Sequence, residues 1–401
     1  MRLPIVFLLA TVTLNSMGIG LIIPVMPDLI REVSGQSLSN AALIGGVLST
    51  VYAAMQFLFS PFLGRLSDAY GRRPVLLGTL AIMVVDYVVL ALANSLWMLL
   101  LARVVGGFAS ATQATASAAI ADLSEPGQRA RGFGLIGAAF GMGFVLGPVL
   151  GGFLGEFGSR APFWAAAILC GAGSLLGMIV FPETLKPENR SVLTWRGVNP
   201  FGAFRALGRL PGVGRALVVY FLYNVAFGVY PAIWSFYGQA QFDWSPAMVG
   251  FSLGAFGVSF AVVQGGLIGV ILGQLGERGT VVFGLCFSGL AFVLLGFVTS
   301  GTLALILTPL AALGGAYAPA QQAIMSRSLG PDEQGALQGV LSSTVAVSMM
   351  ISPLLMSKVF SIYTAPEKLP QFPGAPFLVA LFLTLIAVLL FLWPGQKRAV
   401  A

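Results

Sequence analysis

Gly64-Arg65-Leu66-Ser67-Asp68-Ala69-Tyr70-Gly71-Arg72-Arg73-Pro74 joins two apolar segments, about 42–63 and 75–94, each long enough to cross a bilayer. An acid and three arginines are thus packed into a connection too short to be a domain. Gly71 permits a tight turn and Pro74 suits the first turn of a helix. Asp68 is spaced to pair with Arg72 one turn on, or to accept from the start of the following helix, where negative charge is favoured. Two readings follow: a gate built on Gly64, Asp68, Gly71, Arg72 and Arg73, or a basic loop that only sets topology. The concurrence of glycine, acid and double arginine favours the gate.

Outward from this stretch the same alternation recurs. Apolar segments fall at roughly 5–27, 42–63, 75–94, 97–121, 133–155 and 162–182, then at 216–237, 247–272, 280–299, 302–325, 336–360 and 376–394. They predict an all-α membrane protein of twelve transmembrane helices. Composition agrees: 57% of the residues are hydrophobic and 9% charged, against about 25% charged in a soluble domain. Mean hydropathy is +0.91. The 51 glycines suit helices whose backbones approach closely. Histidine is absent, which removes the commonest metal ligand and the usual near-neutral proton carrier; no metal and no cofactor are expected. Cys170 and Cys286 lie in apolar segments, which speaks against a disulfide framework.

A formal charge of +7 raises the question of nucleic acid, but the charges collect in alternate loops. With the N-terminus placed in the cytoplasm, sixteen of the 21 Lys and Arg fall inside; Arg31, Arg160, Lys358 and Lys368 fall outside, and Arg103 lies in a span. Both termini are therefore expected to be cytoplasmic. The first apolar segment is longer than a signal core, shows no clear cleavage site, and is expected to be retained. The longest polar stretch, 183–215, divides the chain into bundles at 1–182 and 216–401. Within it, Phe201, Phe204 and Leu207 share one face of a short basic segment from Pro200, readable as a membrane-surface helix or as a solvated linker.

The halves repeat weakly. Gly64 and Gly71-Arg72-Arg73 have counterparts at Gly269 and Gly276-Glu277-Arg278, and Gly147-Pro148 at Ser352-Pro353, all at offsets near 205. Two pseudo-symmetric six-helix bundles are a common transporter construction.

An arginine inside a span costs from about 3 to over 10 kcal/mol, so Arg103 in Leu101-Ala102-Arg103-Val104-Val105-Gly106-Gly107 needs a carboxylate, carbonyls or a wet cavity. Asp86 is the one acid near the middle of a span. The third and fourth segments form a hairpin turning near Asn94, with Asp86 eight residues before it and Arg103 nine after. At about 1.5 Å per residue both lie roughly 12–14 Å from the turn, at one depth. Burial favours the neutral carboxyl and a nearby arginine the charged one, so a change in their separation switches Asp86 between holding and releasing a proton. A static pair that merely satisfies Arg103 is the other reading.

The Gly64–Pro74 segment resembles the signature loop of the major facilitator superfamily, and Leu101–Gly107 resembles its second motif. Gly143-x-x-x-Gly147-Pro148-x-x-Gly151-Gly152 is similar to the motif that marks antiporters there; a plain packing ridge with a proline bend is the alternative. Leu14–Pro27, Ala119-Ile120-Ala121-Asp122, Gln128-Arg129, Pro319-Ala320-Gln321-Gln322 and Gln334–Gly339 resemble the tetracycline/proton antiporter group of the drug exporters. The resemblance implies export by alternating access, and a gate to which Asp122 and Arg129 belong. It also marks departures. The family's first-helix aspartate is Asn15 here, its eighth-helix histidine falls at Phe260, and its ninth-helix aspartate falls near Cys286 or Phe287. Its third-helix aspartate is retained as Asp86. Tetracycline is therefore expected to be a poor substrate.

A site at the midplane between the halves draws on the few polar side chains at that depth: Asn15, Gln56, Gln113, Asn224, Gln264, Gln321 and Gln322, walled by Tyr223, Phe227, Tyr230 and Trp234. For each amide the competing reading is an interhelical hydrogen bond of about 0.6–2 kcal/mol. The expectation is a monomeric drug exporter of the cell's inner (cytoplasmic) membrane. It takes amphipathic small molecules and protons, and not nucleic acid, as partners. A metabolite exporter or uncoupled facilitator of the same fold is the near rival. A membrane enzyme needs clustered catalytic groups, and an ATP-driven pump a Gly-x-x-x-x-Gly-Lys-Ser/Thr loop; neither is present.

Overall fold

The structure, a computed structural model, describes residues 3–110, 112–125, 128–192, 199, 201–202, 210, 212–367 and 370–393, without the side chains of 113, 114, 129, 130 and 331. Most of the surface helix expected from Pro200 lies outside these residues. All regular elements among them are helical. Ten helices are long and apolar enough to cross a membrane. One of them, Pro246–Phe297, has 52 residues. Straight, it would reach about 78 Å, far beyond a hydrocarbon core of about 30 Å. It reverses at Gly276, where φ is 64°, and so supplies two passes. The pair Leu96–Ala109 and Thr112–Leu123 makes one more.

The twelve spans are α1 (Leu3–Ser34), α2 (Leu38–Tyr70), α3 (Arg72–Ala91), α4 (Leu96–Ala109 with Thr112–Leu123), α5 (Arg129–Gly155) and α6 (Ala161–Val180) in the first half. The second half holds α7 (Gly214–Phe227 with Val229–Phe242), α8 (246–275), α9 (277–297), α10 (Gly301–Leu313 with Tyr317–Arg327), α11 (Gln334–Thr364) and α12 (Ala375–Leu392). Call the end where α2 meets α3 the motif end, and the other the far end. At the far end α2, α4, α8 and α10 open on Ser37, Ser95, Ser245 and Ser300, whose hydroxyls each accept from a first-turn N–H. There α6 and α12 open instead on Pro162 and Pro376, which have no N–H to satisfy.

Four spans are broken near their middle. α1 passes through a 3₁₀ turn at Ile23–Val25, α4 breaks after Ala109, α7 at Gly228 and α10 at Gly314–Ala316. Ile23 and Gly228, and Ala109 and Gly314, each stand 205 residues apart, so the offset seen in the motifs governs the backbone too. α8 also carries a π-helical turn at Val263–Leu267, beside the α10 break.

The halves meet along two antiparallel seams, α5 on α8 and α2 on α11. A Cβ on Gly250 would lie 2.3 Å from the Pro148 carbonyl and 3.0 Å from Gly152. One on Gly46 would lie 2.7 Å from the Pro353 carbonyl. Pro148 and Pro353 again differ by 205, so each half presents the same proline bend to a glycine of the other. Both seams lie toward the far end. There one core cluster joins Leu21, Val25 and Ile30 to Ile233, Phe236 and Tyr237 across the halves. At the motif end each half has its own core, around Leu76, Ile120 and Phe181 in one and Leu217, Tyr317 and Leu337 in the other. The same helices part there. Gly134, Gly137 and Gly141 of α5, and Gly265, Gly266, Gly269 and Gly273 of α8, face open space where a side chain would go.

Candidate functional site

The connection quoted at the outset is shorter than its sequence suggests. α2 runs on to Tyr70 and α3 begins at Arg72, leaving Gly71 alone between them with φ of 111°, a conformation side chains rarely adopt. Asp68 thus rides the last turn of α2 and Arg72 the first of α3. Arg72 is buried and holds three partners: Asp68 by an ion pair, Ser67 at 3.0 Å, and Asp122 of α4 at 3.2 Å. Of the two roles open to Asp68, the structure shows the pairing with Arg72. The start of α3 is served by another acid, Glu183, just beyond α6. Its oxygens accept from the backbone N–H of Arg72 at 2.8 Å and Arg73 at 3.3 Å, and from Thr184 and Leu185 at 2.9 Å each. A Cβ at Gly71 would stand 2.1 Å from it. The Ser191 N–H reaches the Asp68 carbonyl at 3.0 Å, so the start of the linker is strapped over the loop. Arg73 donates to the Met178 carbonyl. Gly64 has open space beside it.

The second half carries the same construction with its charges reversed. Glu277 and Arg327, each 205 residues beyond Arg72 and Asp122, pair at 2.9 Å. None of these groups bridges the halves, which are apart at this end.

Asp86 and Arg103 meet as their count from the hairpin implies, at 3.5 Å, and are 3% and 6% exposed. A Cβ on Gly106 would come within 2.6 Å of Asp86, so the motif glycine makes the room for the carboxyl. Arg103 also lies over the Tyr52 ring at 5.4 Å. The pair is under-satisfied: Asp86 Oδ1 and Arg103 Nε and Nη2 are buried with no hydrogen-bond partner. The pair sits inside the first half, between α3 and α4.

The antiporter-type glycines divide their faces between two partners. Cβ atoms on Gly143, Gly147 and Gly151 would strike α1 at the Thr13, Met17 and Leu21 carbonyls, within 2.5 Å. Gly152 instead faces Pro246 and Gly250 across the seam. Sequence reasoning missed the complementary ridge Gly250, Gly254 and Gly257 on α8, whose spacing of four and three was a readable signal, and it took Glu183 for a linker charge.

The candidate amides are not brought together into one cluster. Asn15 is buried, with its amide nitrogen 3.7 Å from the Met83 sulfur. In the second half, Asn224 donates to the Tyr220 carbonyl at 2.8 Å, and Gln264 to the Gly315 carbonyl in the α10 break at 3.0 Å. Gln322 donates to the Tyr220 hydroxyl at 3.2 Å. Gln321 is fully buried, donating to the Ala216 carbonyl while its own Oε1 lacks a partner. Gln56 is half-buried on α2. The side chains of Gln113 and Arg129 lie outside those described. Tyr223, Tyr230 and Trp234 are buried within the second half, Tyr223 donating to the Gly314 carbonyl, and Phe227 is half-buried beside them.

The family model of the Major Facilitator Superfamily matches residues 8–268 and 216–400. The class G tetracycline resistance protein of Vibrio anguillarum is 42% identical over 361 residues, covering 90% of this chain and 91% of that one. The class C protein of Escherichia coli is 40% identical, covering 89% of each. Among solved structures, the human organic anion transporter MFSD10 (TETRAN) is 26% identical with a TM-score of 0.69, covering 97% of this chain and 99% of its own. A bacterial homologue of the lysosomal transporter Spinster, inward-facing and occupied, has a TM-score of 0.79 at 16% identity, covers 96% and 95%, and bears on the fold alone.

Proposed function

Because the chain belongs to the Major Facilitator Superfamily, we propose that it exports amphipathic small molecules in exchange for protons by alternating access. The tetracycline resistance proteins it is similar to along nine-tenths of its length support a substrate of the antibiotic-like kind. The observation that carries the reading is the one-ended seam. Two pseudo-symmetric bundles are joined at the far end and parted at the motif end, which is one of the two states a rocking carrier visits. The distribution of Lys and Arg assigns the motif end and both termini to the cytoplasm, so this state faces inward. The inner membrane is the site, and the working unit is a monomer.

In this reading the networks of Asp68, Arg72, Asp122 and Glu183, and of Glu277 and Arg327, are the inner gate. Substrate enters the cleft between the halves, where Gln56, Asn224, Gln264 and Gln322 are half-buried. Asn15 and Gln321 are packing residues, since each is turned into its own bundle. Asp86 handles the proton. Its orphaned oxygen and the orphaned nitrogens of Arg103 describe a pair that other positions of the two groups would satisfy better. One proton moving inward across 100 mV supplies about 2.3 kcal/mol, enough to bias such a cycle.

The test is transport in proteoliposomes with an imposed pH gradient. Removing one partner of a buried pair costs about 3–5 kcal/mol, so Asp86→Asn is measured beside Asp86→Asn/Arg103→Gln, which leaves no buried charge. Export that loses its response to the gradient in both is expected; an unchanged response in either one removes Asp86 from coupling. A second reading, metabolite export or facilitation without proton coupling, is favoured by Asn15, an amide where the resembled group has a carboxylate.

A further inference from the structure

The sequence motifs mark one end of the molecule, yet in this structure the other end is the one that is shut. The five ion pairs of the described residues all lie within one half or the other, so none of them closes it. Hydrogen bonds do. The Ser235 hydroxyl of α7 donates to the Ile23 carbonyl, freed by the 3₁₀ turn of α1, at 2.8 Å. The Gln239 amide donates to both oxygens of Asp28 at 3.2 Å. The Ala247 N–H, in the first turn of α8, donates to Glu156 at 3.0 Å. Two of these three contacts put a carboxylate of one half on a donor of the other.

We infer that Asp28, Glu156 and Gln239 form the latch that holds the far end closed, an outer counterpart of the motif gate that no motif marks. Three features support it. Asp28 reaches the seam because Pro24 and Pro27 bracket the break that turns the end of α1 toward α7 and α8. Gln239 spends its amide nitrogen on Asp28 while its own oxygen is buried without a partner, so the carboxylate dictates how the amide stands. Glu156 sits where the α8 helix presents unsatisfied N–H groups and a positive end, beside the Ser245 cap and within the packing of Gly152 and Gly155 on Pro246. The base of the latch is braced within its own half, since Arg160 and Ser159 of the α5–α6 turn both bond Glu32 at the end of α1.

The inference rests on the rocking motion proposed above, and its test reads conformation rather than transport. Cys170 and Cys286 are replaced by serine, and Thr50→Cys is added as reporter on α2, where Thr50 bonds the Met350 carbonyl inside the other seam. Whole cells are treated with a membrane-impermeant maleimide. Asp28→Ala/Glu156→Gln is expected to speed labelling about tenfold over the reporter parent, as loss of charge-assisted bonds across the seam implies. Glu156→Asp, which keeps the charge, is expected to label nearer the parent rate. Equal labelling of the double variant and the parent, in protein that stays monodisperse, overturns the latch. Should the double variant fail to fold, Asp28→Cys/Gln239→Cys decides. With a protease site placed in the linker, a short bifunctional thiol cross-linker, long enough to span the two side chains it replaces, is expected to keep the two halves joined on a denaturing gel. Halves that separate after cross-linking overturn the latch as well.

Discussion

Arg72 is the residue on which the motif end turns, because its one buried guanidinium, on α3, holds Ser67 and Asp68 of α2 and Asp122 of α4. Asp68→Asn keeps the shape and loses the charge; transport at matched expression is expected to fall while the protein still reaches the membrane, and a normal rate removes the gate role. Glu183→Gln is expected to resemble it, since four N–H groups lose a charged acceptor, each such bond being worth about 1.5–3 kcal/mol. Gly71→Ala adds a strained φ to a clash with Glu183 and is expected to lower stability by about 1–3 kcal/mol in a detergent melt. Asn15 carries a different expectation. An amide packed on Met83 attracts no cationic or metal-bound drug, so the resistance to tetracycline that the chain confers on a susceptible host is expected to fall below that given by the class G or class C protein.

A helix has two faces, and α5 uses both: Gly143, Gly147 and Gly151 lie on α1, while Pro148 and Gly152 lie on α8. Gly147→Val would press on the Met17 carbonyl inside one half and is expected to unfold it. Gly152→Val would press on the Pro246 carbonyl across the seam and is expected to leave the fold while exposing the far end to maleimide. The Glu156 contact of the latch has a pH dependence of definite sign. The Ser245 hydroxyl, then the Ala247 N–H, hold the Glu156 carboxyl below its ordinary value, so its contribution is complete above the usual carboxylate range and is lost as pH falls through the lowered one. Glu156→Gln is therefore expected to label faster than the reporter parent throughout about pH 6–8, with the gap closing only in acid below about pH 4. At this scale the sequence was informative where spacing is geometry. The hairpin count brought Asp86 to Arg103, and the offset of 205 foretold the paired prolines. It was silent on Glu183, because nothing in a lone acid after Phe181-Pro182 says which N–H groups it will meet, and on the α10 break, whose carbonyls occupy Tyr223 and Gln264.

Across the whole molecule, spans and bundles were legible because lipid demands long apolar helices, and the α8–α9 reversal because Gly276 repeats Gly71. The conformational state was not legible, since both ends of the α5–α8 seam are written in glycine. Those residues carry a last consequence. At the far end Gly46, Gly152 and Gly250 have no room for a side chain, whereas Gly134, Gly137, Gly141, Gly265, Gly269 and Gly273 have it in plenty. A melting-temperature screen of purified protein resting in this state is expected to score Gly137→Leu or Gly269→Leu as harmless. A growth screen under antibiotic challenge passes the same variants through the opposite state, where the motif end must shut, and is expected to reject them. Thermal tolerance and evolutionary tolerance thus part company along these two helices, and the residues on which they disagree outline the surface that closes when the carrier faces outward.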